Sequence, residues 1–106
     1  MSRGHSANEL RHISDILASD GTTTLASGIR NGLEDLAGAR LEKAQLQSAE
    51  TTHMILYHAG DVTVLTESSY VRCEGVLYIV DYKLDPRKPR PGMWTEVYCH
   101  VERTVS

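Results

Sequence analysis

The residues best suited to metal binding or nucleophilic chemistry in this sequence are its histidines and cysteines. The candidates for a metal site are His53, His58, Cys73, Cys99 and His100. Their spacings include no CxxC, HxxxH or HExxH pattern. His53 and His58 are separated by an odd number of positions, so on a regular strand they face opposite ways. The adjacent Cys99 and His100 do the same. We therefore expect no metal and no cofactor, with the cysteines as small core residues and the histidines partly exposed.

Sequence motifs of common enzymes are also missing. There is no GxSxG elbow for a serine nucleophile, and neither GxxxxGK[ST] nor GxGxxG for phosphate binding. Cys73 precedes a predicted hairpin turn, which is a poor setting for a reactive thiolate. The carboxylates Asp61, Glu67, Asp81 and Glu96 are scattered along the chain. A chain of 106 residues has little room to enclose a substrate pocket, so we expect a protein that is not an enzyme and has no catalytic residues.

The sharpest charged feature is a proline-rich basic loop at 85–92. It holds all three prolines of the chain, together with Arg87, Lys88 and Arg90. Such a loop either contacts phosphate or an acidic partner surface, or acts as a solubilising hairpin tip. The sequence leaves both interpretations open.

The aromatic residues raise a further alternative, because aromatic side chains on a small β-barrel can stack on the bases of a single strand. The set consists of Tyr57, Tyr70, Tyr78, Tyr82, Tyr98 and Trp94. In a β domain without phenylalanine, core and rim positions explain these residues more simply.

Length and composition are those of one small globular domain. Hydrophobic residues make up 41% and charged residues 24% of the chain. The longest apolar runs, 54–57 and 76–80, are far shorter than the ~20 residues of a membrane helix, and the first residues lack the apolar segment of a secretory signal. With only two cysteines, we expect reduced thiols. The net charge of -3 lacks the overall positive charge that a protein needs to coat nucleic acid. We expect a single domain over 1–106, with 1–8 as a flexible tail and no membrane contact.

Hydrophobic periodicity predicts a mainly β protein with one helix. Residues 36–48 are mostly strong helix formers with one narrow apolar face, which is typical of a helix on a surface or at an interface. Asp35 is the predicted N-cap of this helix. By periodicity alone, 10–17 fits either a helix or a short strand, and we favour a strand. The other predicted strands lie at 25–34, at 51–58 with a continuation at 62–66, and at 70–73, 76–82 and 94–103.

Glycines and turn signals organise these strands. Gly28 and Gly32 predict a bulge or bend within 25–34, and Glu74 and Gly75 form a hairpin turn. Five or six short strands at roughly ten-residue spacing, with one inserted helix, predict a small antiparallel β-barrel or sandwich.

Several motifs occur in a fixed order along the chain. The first half contains LRH at 10–12, LEDLAG at 33–38 and ETTHMILY at 50–57. The second half contains VRCEGVLYIV at 71–80 and EVYCHVE at 96–102. In this order the motifs resemble the head-tail joining family of tailed phages, which are the head-completion or stopper proteins.

The resemblance implies a small β-barrel that forms a ring, expected to be a dodecamer, in the virion neck. Such a head-closure ring joins the portal or adaptor protein above it to the tail terminator or tail tube below it. It retains the packaged DNA, which later passes through its channel, and it is assembled in the host cytoplasm. In the family, the segment between the second and third strands is mobile and projects toward the channel, and here it corresponds to about 34–50.

Charged residues of the helix region and of the basic loop are the expected interaction residues. They are Glu34, Asp35, Arg40, Glu42, Lys43, Arg87, Lys88 and Arg90. A ring subunit needs contacts on two flanks, and mixed charges around the helix suit ion pairs with a neighbouring subunit or adaptor. Two alternatives remain open: another neck ring protein, either an adaptor or a tail terminator, or a small nucleic-acid-binding β-barrel.

Overall fold

The computed structural model describes residues 11–58, 65, 69–84 and 94–102. In these ranges it contains six strands and one helix, which confirms the predicted small antiparallel β-barrel with an inserted helix. The elements are β1 (His12–Leu17), β2 (Thr24–Asp35), α1 (Gly38–Gln47), β3 (His53–His58), β4 (Tyr70–Cys73), β5 (Val76–Leu84) and β6 (Trp94–Val101). The described part of the chain has no helix with the length and apolarity needed to cross a bilayer.

The strands close into a barrel in the order β1-β2-β3-β6-β5-β4, and every neighbouring pair is antiparallel. The segment 10–17, ambiguous by periodicity, is therefore a strand from His12, paired on both sides. The predicted hairpin joins β4 to β5, and Glu74 and Gly75 both have positive φ there. Each of the six strands is hydrogen-bonded to two neighbours.

Alternate residues of the strands fill the barrel interior. Ile16, Ile55, Val71, Val80 and Val97 are at most 2% exposed and belong to one apolar cluster. Both cysteines lie in the same cluster, as small core residues. The period of two along each strand places these side chains inside because successive side chains point to opposite faces.

Strand β3 is buried on both faces, which explains its uninterrupted apolar run. Ile55 and Tyr57 point into the barrel, whereas Met54 and Leu56 point outward and pack with Ala44 of α1 in a second apolar cluster. Helix α1 therefore lies on the outer wall of the barrel. Ala44 is the only helix residue that the wall buries, which confirms the narrow apolar face expected for a surface helix.

The predicted irregularity in the second strand is present at one of its two glycines. One of the two register shifts between β1 and β2 lies between Ala26 and Ile29 and includes Gly28, which has φ of +69° and so adopts a conformation that few other residues tolerate. Gly32 instead pairs with Leu56 in regular register. The second shift lies between Thr24 and Ala26, so β2 is irregular at two points.

The predicted start of the helix was wrong. Asp35 is the last residue of β2, and its carboxylate lies 2.7 Å from Nε2 of His53. The N-cap position belongs to Ala37, which makes no side-chain capping bond, and the helix begins at Gly38. Since β2 continues in register with β3 as far as Asp35, strand pairing overrides the local capping preference.

Some of the sequence predictions lie outside the described residues. They concern the flexible tail at 1–8, nearly all of the strand at 62–66 and the proline-rich basic loop at 85–92.

Candidate interaction surface

A groove of about 510 Å³ runs between α1 and the outer faces of β5 and β6. The helix side of the groove is formed by Arg40, Lys43, Ala44 and Leu46. The barrel side is formed by Tyr82, Leu84, Glu96 and Tyr98. The groove lies beside the part of α1 that packs on the wall, where Ala44 is buried and Leu41 is partly buried.

Two stacked tyrosines form the floor of this groove. Tyr82 and Tyr98 are register partners on β5 and β6, and their rings lie 4.6 Å apart with an angle of 7° between the planes. A bulge between Val80 and Tyr82 turns Tyr82 to the outer face beside Tyr98. The stack presents a broad, flat apolar surface.

Hydrogen bonds hold both tyrosines in place. Tyr98 donates to the Glu96 carboxylate at 3.0 Å, and Tyr82 donates to the backbone oxygen of Ala44 at 3.5 Å. Burial, with the nearby Glu96 charge, raises the pKa of Tyr98 to about 12. Burial also raises the pKa of Tyr82. Both phenols are therefore neutral at physiological pH, and the floor of the groove carries no charge of its own.

Exposed apolar side chains border the groove. Leu46 on α1 is 87% exposed and Leu84 at the end of β5 is 52% exposed. Exposed large apolar side chains at a concave site are typical of an interaction surface, although one such residue alone is common. Here the two leucines and the tyrosine stack belong to one groove.

The charged residues predicted from the sequence fall into several groups. Arg40 lines the groove and pairs with Glu34 of β2, and this hydrogen bond raises the pKa of the guanidinium. Lys43 lines the groove and makes no ion pair with any described residue. Glu42 is exposed on α1 and does not line the groove, while Asp35 is occupied by His53. Arg87, Lys88 and Arg90 lie outside the described residues.

A polar network fixes the C-terminal end of α1 and the loop that follows it. Gln45 donates to the backbone oxygen of Thr51, and the Thr51 hydroxyl donates to Asp81 at 2.8 Å. Nδ1 of His100 lies 2.9 Å from the same carboxylate, and its Nε2 lies 3.1 Å from Glu50. These contacts bind the loop to β5 and β6 and so hold the end of α1 against the barrel.

The apolar half of this surface was not predicted from the sequence. Leu46 carried a usable signal, because it is a leucine off the narrow stripe that includes Leu41 and Ala44 and so must face away from the wall. No sequence signal indicates the pairing of Tyr82 with Tyr98, because this pairing depends on a bulge whose position the sequence does not specify.

The histidines and cysteines that were candidates for metal binding or nucleophilic chemistry lie where they pack against other side chains. Among residues 11–58, 65, 69–84 and 94–102, no three His, Cys, Asp or Glu side chains are grouped so that they could hold a metal ion. Burial raises the pKa values of the Cys73 and Cys99 thiols, which keeps them protonated at neutral pH. Tyr57 and Tyr78 are buried inside the barrel, and His58 stacks on Trp94.

Comparison with known proteins gives no relative on which to base the assignment of this surface. No protein-family model matches the chain, and no curated protein matches it in sequence.

Proposed function

We propose that the protein is a structural component of the virion neck of a tailed phage, a subunit of the head-closure ring. In this role it joins the portal or adaptor complex to the tail and retains the packaged DNA. The observation that carries the proposal is the architecture: a closed barrel whose one described helix, inserted between β2 and β3, borders an open groove. The order of sequence motifs along the chain supports the same assignment.

The chemistry of the described surface suits assembly. Catalysis in a small domain requires polar groups converging in a pocket, whereas this groove combines an uncharged tyrosine floor with exposed leucines and charges at its rim. An apolar centre with a polar rim is the usual composition of a protein–protein interface. We therefore assign the groove to contacts with other subunits of the neck.

The charge of the protein fits a position around a DNA channel. Its net charge of -3 gives little general attraction for a polyanion, so DNA can pass without being held. Replacing Glu34 and Asp35 by lysine is expected to slow DNA ejection from assembled virions. Unchanged ejection kinetics in virions that carry the variant would remove this part of the proposal.

The function is tested by affinity purification of the tagged protein from cells that produce the virus encoding it, with mass spectrometry of the proteins recovered. We expect a portal or adaptor protein in near-stoichiometric amount. Leu46→Glu, which charges the groove without touching the core, is expected to reduce that recovery, whereas Val76→Glu, at the distant hairpin turn, is not. Recovery of neither protein by the wild-type chain, from lysates that contain portal complexes, would overturn the assignment.

The same preparation tests the nucleic-acid-binding alternative. Filter binding of a labelled single-stranded oligonucleotide at two salt concentrations is expected to show negligible affinity. Tight binding that falls steeply as salt increases would replace the ring assignment with a nucleic-acid-binding barrel, because phosphate contacts release counterions.

A further inference from the structure

We infer that the groove beside α1 receives the outer face of β1 from a second copy of this chain, with Ile13 of one copy packing on Leu46 of the next. The inference rests on the proposed ring function and deepens it by naming the two surfaces that meet. It follows from where the exposed apolar residues lie, and from the charges beside them.

The two surfaces lie on opposite sides of the barrel. In the closed order β1-β2-β3-β6-β5-β4, β1 and β6 are three places apart in a ring of six, which puts them across the barrel from each other. Contact between two different surfaces of identical copies is heterologous, and such contacts repeat to give a closed ring when the rotation between copies permits closure. A subunit with its two contact surfaces on opposite sides has the arrangement that a ring requires.

Ile13 is an exposed apolar residue near the start of β1, where it pairs with Arg30 of β2. Its neighbour Ser14 points inward and is buried, so Ile13 points outward, where it is 60% exposed. Leu46 on the opposite side is 87% exposed. Neither residue contributes to the apolar clusters of its own subunit, so packing them on each other removes apolar surface from water without disturbing either core.

The charges that flank these two residues are complementary. Asp15 lies two positions after Ile13 on the same face of β1, and Arg30 is the register partner of Ile13 on β2. On α1, Lys43 and Glu42 precede Leu46 by three and four positions, which makes both of them its neighbours on the helix surface. Each surface therefore has one apolar side chain with an acid and a base beside it, roughly 5–7 Å away in each case.

The flanking charges are available for these contacts. Arg30, Glu42 and Lys43 make no ion pair within the described part of the chain. Asp15 is held in position by the backbone N–H of Gly28, which donates to it at 3.2 Å, and by Arg72 at 3.6 Å. Asp15 can thus meet Lys43 of the next copy, and Arg30 can meet Glu42.

Disulfide crosslinking of the full chain tests the contact. Ile13→Cys and Leu46→Cys are introduced together, with Cys73 and Cys99 left in place because both are buried. Mild oxidation is expected to give a ladder of covalent multimers. A mixture of the two single variants is expected to give covalent heterodimers and nothing longer, because each chain then has one reactive surface. The matched control, Val101→Cys with Leu46→Cys, places an exposed thiol at the end of β6, where Val101 is 41% exposed, and is expected to give no ladder.

A charge reversal provides a second readout that does not depend on cysteine chemistry at the contact. In the crosslinking background, Arg30→Glu alone and Glu42→Arg alone are each expected to reduce the crosslinked fraction several-fold, and the two together to restore it. Neither residue has an ion-pair partner among the described residues of its own subunit, so both variants are expected to fold, as circular dichroism will verify.

The outcomes separate this inference from the proposed function. Absence of the ladder, or a ladder of equal yield in the control pair, overturns the contact between Ile13 and Leu46. If the wild-type chain still recovers a portal or adaptor protein, the neck assignment stands and the subunits meet through other surfaces. A ladder without recovery of either protein supports self-association through these surfaces and overturns the neck assignment.

Discussion

The hydroxyl oxygens of Ser14 and Tyr57 lie 2.7 Å apart inside the barrel, where both residues are at most 1% exposed. This hydrogen bond joins β1 to β3, which are not neighbours in the sheet, and so ties two walls of the barrel across its interior. Burial raises the pKa of Tyr57 well above its usual value, and the phenol stays neutral over the physiological range.

Removing one hydroxyl of this pair is expected to destabilise the protein. Tyr57→Phe leaves the Ser14 hydroxyl with only a distant acceptor, the Ile29 carbonyl oxygen at 3.5 Å, and is expected to lower the free energy of unfolding by about 1–2 kcal/mol. Ser14→Ala is expected to cost a similar amount. The double variant should cost less than the sum, because the second change removes a group that has already lost its partner. Urea denaturation of the four proteins measures the coupling, and strictly additive losses would argue against the bond.

The two cysteines are expected to be unreactive in the native protein. Both are fully buried, and desolvation raises their pKa values, so little thiolate forms and reagents cannot reach it. Labelling with a thiol reagent at pH 7–8 should therefore proceed only as fast as the protein opens or unfolds, and should go to completion in denaturant. Rapid native-state labelling of either cysteine would show that the barrel opens easily, and it would also complicate the crosslinking experiment.

The turn between β1 and β2 is expected to lose stability in acid. The Thr23 hydroxyl and the backbone N–H groups of Thr22 and Thr23 donate to the Asp20 carboxylate and lower its pKa from 3.8 to about 2. A lowered pKa in the folded state stabilises the fold above pH 3.8, and this contribution is lost as the pH falls toward 2.

We therefore expect Asp20→Asn to be less stable than the wild type above pH 3.8, with the difference shrinking as the pH falls toward 2. Denaturation midpoints measured across this range test the prediction. A difference that stays constant throughout would mean that the carboxylate charge contributes nothing.

The anchoring of α1 is expected to depend on Asp81 far more than on Glu50. Asp81→Ala removes the partner of both the Thr51 hydroxyl and Nδ1 of His100, and the Asp81 side chain is only 9% exposed. We expect a loss of about 2–3 kcal/mol and faster hydrogen exchange in α1. The control Glu50→Gln removes only a contact to His100 from a side chain that is 75% exposed, and it should cost less than about 1 kcal/mol. Equal losses from the two variants would contradict this network.

Much of the fold follows from short-range patterns. The turn at Glu74 and Gly75 fixes the β4–β5 hairpin, and strict alternation in β6 fixes which of its residues face inward. The apolar run 54–57 identifies a strand but does not say why it lacks alternation. Its outward residues are covered by α1, a contact between segments that the sequence pattern of either one does not reveal.

Less of the candidate surface was predictable, because it depends on registers and bulges. The helix and its charges were expected at an interface, and Arg40 and Lys43 do line the groove. Asp35 fitted the pattern of an N-cap, but cross-strand hydrogen bonds extend β2 through that position. The floor of the groove requires that one residue be skipped between Val80 and Tyr82, and no local feature of the sequence specifies such a shift.

The closure of the barrel has a consequence for how copies of the protein can join. Each of the six described strands has a hydrogen-bonded neighbour on both sides, so the barrel has no strand with a wholly open edge for another copy to pair with. Association through side chains on the outer wall, as proposed for Ile13 and Leu46, leaves the backbone pairing of a subunit the same before and after it joins. Folding and assembly are then separate steps. A folded subunit can join or leave the assembly without changing its own fold. A surface substitution can abolish assembly while the subunit keeps its full stability.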